Sequence, residues 1–546
     1  MAKKNENKLQ YLQMPLPDGR KYYKLVKRSW NGLNYRQTID TGALSMERNI
    51  STLEAPYLVP SQSPQQIPYS YTYPISMFAF DDFLLVIYRN GAGIYADYII
   101  YNSDDDEYTK YTGTIQASGA TSKDEYPRCV VAFNVYDTPT DPVSGKYVKK
   151  LLIFPDKKSM DFEITENHFT ISDMSVLVKE FTPSGSENTP PGTASHNYYY
   201  RNSKTSDIYR WVDDASDSEK SGWKVSTPPA MPNIKYAAVH LSRLFGVDDD
   251  RVYASGYNDY TNWNLDTTDE YNESNAWCSP AQSNTKAGGK FTGIANFQGH
   301  IVCFKHDFMH EIYNTKNPFR IQDIYAEGAI DHRTIQDVDG KLVFVSEDNV
   351  KIYTGSNPRI ISYYLNMTSY QNAVSGTDGR CYYLYCEDEN ENKRLFVYDT
   401  ITEQWSQQVA PSSVLSFAHN KNGMYLLTSN GKILKMDTGE YNHNWSFETD
   451  LITNETIDIK HIKKIQLFAE IASGAGIKVY VLYDNEKFNQ STAHLVYQST
   501  DYGQKPIRVK PRQTASYGIK IHVEGYGYAK LYEMELFMEN GGDLYA

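Results

Sequence analysis

Val338-Asp-Gly-Lys-Leu-Val-Phe-Val-Ser346 decides the reading of the fold, because the same grammar recurs along the chain. It appears at Phe297-Gln-Gly-His-Ile-Val-Cys-Phe-Lys305 and Lys421-Asn-Gly-Met-Tyr-Leu-Leu-Thr-Ser429, with a weaker copy at Thr377-Asp-Gly-Arg-Cys-Tyr-Tyr-Leu-Tyr385. The glycines, at 299, 340, 379 and 423, are 41, 39 and 44 residues apart. In each copy a turn pair supplies positive backbone φ and a β-branched or aromatic run follows. Second turns at Ser346-Glu-Asp-Asn-Val350 and Thr428-Ser-Asn-Gly-Lys432 then lead into further strands. A strand repeat of about 40–45 residues is the signature of a β-propeller blade, which must stack on neighbours to bury both faces. The segments predict an all-β propeller of six to eight blades, about seven. A long β-sandwich or a solenoid is the competing architecture.

At 546 residues the chain exceeds a single core and predicts two or three structural units. Tyr outnumbers Phe by 47 to 21 and no long amphipathic helical stripe stands out, so the sheets should present many half-exposed aromatics. A net charge of −13 opposes binding to phosphate backbones, which argues against a conventional nucleic-acid binder. Five cysteines (Cys129, Cys278, Cys303, Cys381, Cys386) are odd in number and not in metal spacing, and read as reduced, buried thiols. The polar opening Met1-Ala-Lys-Lys-Asn-Glu-Asn-Lys8 is no signal peptide, and no apolar run approaches the roughly 20 residues that span a bilayer. Folding in a reducing cytoplasm, without a membrane anchor, is the expectation.

Residues 1–75 are punctuated by Pro15, Pro17, Pro56, Pro60, Pro64 and Pro68 and read as an extended N-terminal arm. Trp30, Leu33 and Tyr35 are apolar anchors with which the arm could dock. Residues 76–445 form the predicted propeller, interrupted near 181–221 by a Ser/Pro/Gly-rich insertion. From 446 to 546 longer strands alternate apolar and charged residues, as in Gly476-Ile-Lys-Val-Tyr-Val-Leu-Tyr-Asp484, and predict a C-terminal antiparallel β-sandwich. On these boundaries, loss of residues 1–70 should spare a folded propeller and impair assembly.

No catalytic, cofactor-binding or metal-binding residue is assigned. His306-Asp-Phe-Met-His310 has the His spacing of a zinc-protease helix but sits in a strand context, where residues four apart are about 13 Å apart. Asn102-Ser-Asp-Asp-Asp-Glu107 lacks the ligand spacing and central glycine of a calcium loop and reads as a solvated turn, and a second acidic run falls at Asp248-Asp-Asp250. Ser346-Glu-Asp-Asn-Val350 lacks the glycine and tryptophan of a sialidase Asp-box. Nucleophile-elbow, Walker and dinucleotide-binding motifs are absent, while carboxylate pairs for glycoside hydrolysis, drawn from distant blades, stay open.

Three separated stretches resemble a family. Residues 328–355 (Gly-Ala-Ile-Asp-His-Arg-Thr-Ile-Gln-Asp-Val-Asp-Gly and the strands after it) are similar to a blade of tailed-bacteriophage virion proteins. Leu241-Ser-Arg-Leu-Phe-Gly-Val247 through Tyr260-Thr-Asn-Trp-Asn264, and Ile39-Asp-Thr-Gly-Ala-Leu-Ser-Met-Glu-Arg-Asn-Ile-Ser51 with Ala55-Pro-Tyr-Leu58, resemble two further passages of the same proteins. These are the propeller-bearing tail nozzle, muzzle or DNA-stabilisation proteins of short phage tails. The resemblance implies a structural, non-enzymatic virion protein in a homo-oligomeric ring, commonly a hexamer, around the DNA exit channel. Its implied partners are a tail adaptor, fibres or spikes, and genomic DNA that passes without sequence-specific binding; its implied place is the virion tail. An acidic chain fits a conduit, because a wall that repels phosphate lets DNA slide. A tail-tip adhesin recognising host surface glycans is the alternative, and a propeller glycoside hydrolase or depolymerase the second.

Overall fold

A computed structural model describes residues 10–15, 21–36, 39–41, 43–119, 127–137, 146–164, 168–174, 178–183, 189–190, 199–212, 222–265, 275–280, 288–436, 438–484, 486–512 and 514–540. The described residues are all-β, with two single-turn 3-10 segments and no α-helix. Much of the predicted 181–221 insertion lies outside them. The chain divides into two compact units: 71–347 with 352–359, and 1–70 with 348–351 and 360–546.

Eight four-stranded sheets recur in chain order. Sheets 1 to 7 span 73–116, 129–173, 178–225, 236–278, 293–324, 336–360 and 371–408; sheet 8 spans 414–435 and takes its fourth strand from Gln65–Ser70. In sheets 1, 2, 4, 5, 7 and 8 consecutive strands pair antiparallel. In sheet 3 the first pair, Val178–Phe181 with Tyr199–Asn202, is parallel. The quoted glycines all sit at the first turn of a sheet. Gln298 and Gly299 have φ of 45° and 87°, and Asp339 and Gly340 have 52° and 69°, the double positive φ of a tight hairpin. Sheet 4 makes the same turn with Leu241 at 48° and Ser242 at 56°, so a glycine count misses it.

In the 71–347 unit, neighbouring sheets share cores. Phe83, Leu85 and Tyr98 of sheet 1 pack with Leu151, Ile153 and Met160 of sheet 2. Sheets 4 and 5 join through Phe245, Val252, Ile301 and Cys303, and sheets 5 and 6 through Phe304, Met309, Phe344 and Tyr353. The turns are stitched as well, with Asn296 Nδ2 donating to Val239 O at 2.8 Å and Gln298 Nε2 to Gly340 O at 2.9 Å. Sheet 2 packs on sheet 4: Phe133, Leu152 and Phe154 meet Ala237 and Leu244, and the Ala237 amide donates to Cys129 Sγ at 3.3 Å. No residue of sheet 3 enters that cluster. Among the described residues, 178–225 thus forms four strands of its own between two sheets that pack directly.

The other unit carries sheets 7 and 8, which share Tyr385, Leu395, Phe417 and Leu426, and two larger sheets around one core. The six-stranded sheet runs Gln10–Pro15, Lys21–Lys27, Ala529–Asn540, Lys460–Ile471, Gly503–Val509, with Ala515–Ser516 also on Lys460–Ile471. The five-stranded sheet runs Leu44–Arg48, Asn444–Thr449, Ile519–Tyr526, Gly476–Tyr483, His494–Ser499. Leu25, Ile465 and Leu536 of the first meet Leu44, Phe447, Val479 and Ile521 of the second. Where the sequence suggests an arm, the described chain forms strands at 21–27, 44–48 and 65–70 whose partners lie at 529–540, 444–449 and 432–435. Their register, such as Leu25 with Leu536 and Glu47 with Phe447, has no local signature.

Candidate functional site

The residues weighed from the sequence scatter. His306 lies exposed in the turn before Met309–Tyr313, whereas His310 lies within that strand and is fully buried. The two do not form a metal pair, and among the described residues no group of three His, Cys, Asp or Glu side chains could hold a metal ion. His310 instead sits in a row across three strands of sheet 5, directly opposite Cys303 on one side and Asp323 on the other. Directly opposed residues of antiparallel strands share a face. The row therefore has the order of a cysteine-hydrolase triad.

Its chemistry is closed. His310 Nδ1 and Asp323 Oδ1 are 2.8 Å apart, yet burial among Phe291 and Phe308 pulls the imidazole below its usual pKa, against the raising effect of Asp323. Nε2 has no hydrogen-bond partner, so no thiol hydrogen bond activates it. Cys303 is fully buried, and burial alone pushes its thiol far above the usual range. A protonated, inaccessible thiol is a packing group rather than a nucleophile. Nothing in the sequence pattern pointed to this row, since it assembles only through strand register.

Other buried charges are consumed by tyrosines. Glu311 accepts from Tyr313 at 2.5 Å and from Tyr353, and His300 Nε2 lies 3.3 Å from its Oε1. Asp97, with no exposed surface, accepts from Tyr71 at 2.9 Å, Tyr88 at 3.1 Å and Thr112 at 2.7 Å, and pairs with Lys110 at 3.1 Å. Burial and the adjacent carboxylate hold the Tyr88 and Tyr313 hydroxyls up at about 12. The excess of Tyr over Phe is thus partly a supply of donors for buried carboxylates.

Asp248, Asp249 and Asp250 border a cavity of about 470 Å³ with Lys157, Asn233 and Lys235. Asp248 closes its own turn by accepting from the amides of Asp250 at 2.8 Å and Arg251 at 2.7 Å. Asp249 is clamped by Lys290 at 2.9 Å and Lys235 at 3.0 Å, whose hydrogen bonds hold its carboxyl below the usual range. The Asn102–Glu107 run is the tip of a hairpin, and Ser346–Val350 is the turn between Lys341–Val345 and Val350–Tyr353. All five cysteines are free; Cys278 alone is only half-buried.

The anchors Trp30, Leu33 and Tyr35 dock on their own chain. Trp30 packs edge-on to Phe447 at 5.3 Å, the Leu33 amide donates to Trp405 O at 2.9 Å, and Tyr35 OH bonds Gln407. Beside Trp30 a buried Lys27 holds its ammonium 4.6 Å over the indole. Burial pulls its pKa down to about 8 despite Asp450 and Glu47, and burial pushes the Glu47 carboxyl well above its usual range.

No family model matches the chain, and no curated protein does. Solved structures with a similar course include BamB from Moraxella catarrhalis, at 8% identity and a TM-score of 0.31 over 75% of this chain and 99% of that one. TolB from Acinetobacter baumannii matches at 9% identity and a TM-score of 0.23 over 64% of this chain and 78% of that one. The exo-beta-1,3-galactanase of Phanerochaete chrysosporium matches at 10% and 0.20 over 60% of this chain and 98% of that one. Likenesses this distant carry nothing about activity.

Proposed function

We propose that this chain is a structural, non-enzymatic protein of a bacteriophage tail, part of the distal nozzle or muzzle ring through which genomic DNA is held and ejected. The observation that carries the reading is the way strands from residues 21–70 are locked against strands from residues 432–540 in one unit. Lys21–Lys27 pairs with Ala529–Asn540, Leu44–Arg48 with Asn444–Thr449, and Gln65–Ser70 closes sheet 8. Antiparallel strands pulled lengthwise resist in shear, because many cross-strand bonds must break together. That suits a part under load better than a catalyst that must open and close.

The fold reading sharpens with it. With sheet 3 set aside as an insertion, seven four-stranded sheets remain as blades, five in one unit and two in the other, and the two larger sheets form a β-sandwich. The stretches that resemble tail proteins supply the first three strands of sheet 6, the second and third strands of sheet 4 with the turn before them, and the segment entering the five-stranded sheet. The partners are further copies, an adaptor, fibres or spikes, and DNA sliding past an acidic or neutral lining. Negative-stain microscopy of the purified chain should show rings, and antibodies to it should label tail tips. Monomers or trimers that bind surface glycans would favour the adhesin, and glycan cleavage the depolymerase.

A further inference from the structure

The Gly503–Val509 edge of the six-stranded sheet is basic. In Gly503–Val509 the side chains of Ile507 and Val509 enter the core at 2% and 3% exposure, so Arg508 faces the other side. The alternation continues past the strand, where Lys510 and Arg512 are exposed and Pro511 is buried. Arg508 stands opposite Gln466, and on the same strand Lys464 stands opposite Phe537, its ammonium 4.4 Å from that ring. Lys24, also over Phe537 at 5.5 Å, is neutralised by Glu535 at 2.5 Å. Arg508, Lys510, Arg512 and Lys464 make no ion pair among the described residues.

The chain also carries the complement. Gly93–Asn102 and Glu107–Gln116 form the longest hairpin of the four-stranded sheets, ten residues a side. Its tip is Asp104, Asp105, Asp106 and Glu107, all exposed. Local bonds shape the tip, with Asn102 Nδ2 donating to Asp105 at 2.5 Å and Tyr101 OH to Asp106 at 2.7 Å, but no cation pairs with it among the described residues. Four exposed cations and four exposed carboxylates, none in an ion pair among the described residues, therefore coexist in one chain.

We infer that the Lys464, Arg508, Lys510 and Arg512 face receives the acidic hairpin tip of a second copy of this chain. Resting on the ring reading above, this makes the subunit contact head-to-tail, the geometry that closes rings. Exposed pairs are individually weak and screened by salt, so the contact sets register and salt sensitivity more than bulk affinity.

The test uses the full chain in mass photometry at low and high salt. One variant carries Arg508→Glu, Lys510→Glu and Arg512→Glu; a second carries Asp104→Lys, Asp105→Lys and Asp106→Lys. Each alone should weaken assembly about 10-fold or more, as three exposed pairs imply, with unchanged melting temperature. Mixed together they should assemble again, since each restores the other's complement. Wild-type rings unaffected by both swaps, or variants not rescued by mixing, would overturn the contact and leave the ring reading standing. A wild-type chain monomeric at every salt removes both, and heparin or DNA retention lost with the Arg508 variant would give the basic edge to a polyanion instead.

Discussion

Sheets 5 and 6 and the two-sheet core are built by opposite strategies. In sheets 5 and 6 every strand pairs with the next in sequence, across turns fixed by Gln298-Gly299 and Asp339-Gly340. In the two-sheet core, strands from the first 50 residues lie against strands from residues 444–540. The first strategy is cheap in loop-closure entropy; the second costs more on folding and ties strands far apart in sequence into one core. The difference also separates two uses of glycine. A Cβ on Gly340 would meet nothing, so that residue is needed only for its φ of 69°, whereas a Cβ on Gly525 would lie 2.1 Å from the Trp445 ring.

The comparison breaks most decisively on removing residues 1–70. The deletion takes Leu25, Trp30, Leu44, Ile50 and Leu58 from the shared core and the fourth strand from sheet 8. We expect the two-sheet core to lose its cooperative unfolding and the product to aggregate. A soluble truncated chain with an unchanged melting curve would mean that the strands are dispensable. Next in size, Trp30→Ala should cost about 3–5 kcal/mol in denaturant unfolding, because it empties a large buried volume against Phe447.

Tyr353→Phe removes one donor from Glu311 and should cost about 1–2 kcal/mol, as a buried carboxylate loses a hydrogen bond. Gly340→Ala should cost about 1 kcal/mol through positive φ alone, while Gly525→Ala costs more and perturbs the Trp445 fluorescence. The smallest effect is a pH slope at Lys27, whose folded pKa of about 8 lies below its ordinary value of 10.5. Between those values the unfolded chain holds the extra proton, so this residue's contribution to stability rises with pH, complete above 10.5 and lost as pH falls through 8. Lys27→Met should flatten that slope in the wild-type-minus-variant difference; an identical slope would contradict it.

The first half of the repeat shows why reading by turn residues has limits. Leu241-Ser242 makes the same turn as Asp339-Gly340 with no glycine at all, because the following strands are buried enough to hold two residues at positive φ. The 181–221 segment reads as loop by composition, yet within 178–225 four short strands form, including Ile208–Val212 and Gly222–Val225 with Trp211 edge-on to Trp223 at 5.4 Å. The candidate chemistry was less legible still. The spacing of His306 and His310 drew attention to a metal, but His310 belongs with Asp323 and Cys303, 13 residues ahead and seven behind.

By itself the sequence determined what is local: strand-forming runs, the tight turns between them, and the period of about 40 residues that makes an all-β chain of repeated sheets. Those properties follow from backbone φ and side-chain shape within a few residues. Only the tertiary structure decided that sheet 2 packs on sheet 4 past an insertion, that the opening residues become strands of the last core, and that a thiol beside a histidine is sealed. Each of these depends on which distant surfaces exclude water together, and no short stretch of chain encodes that choice.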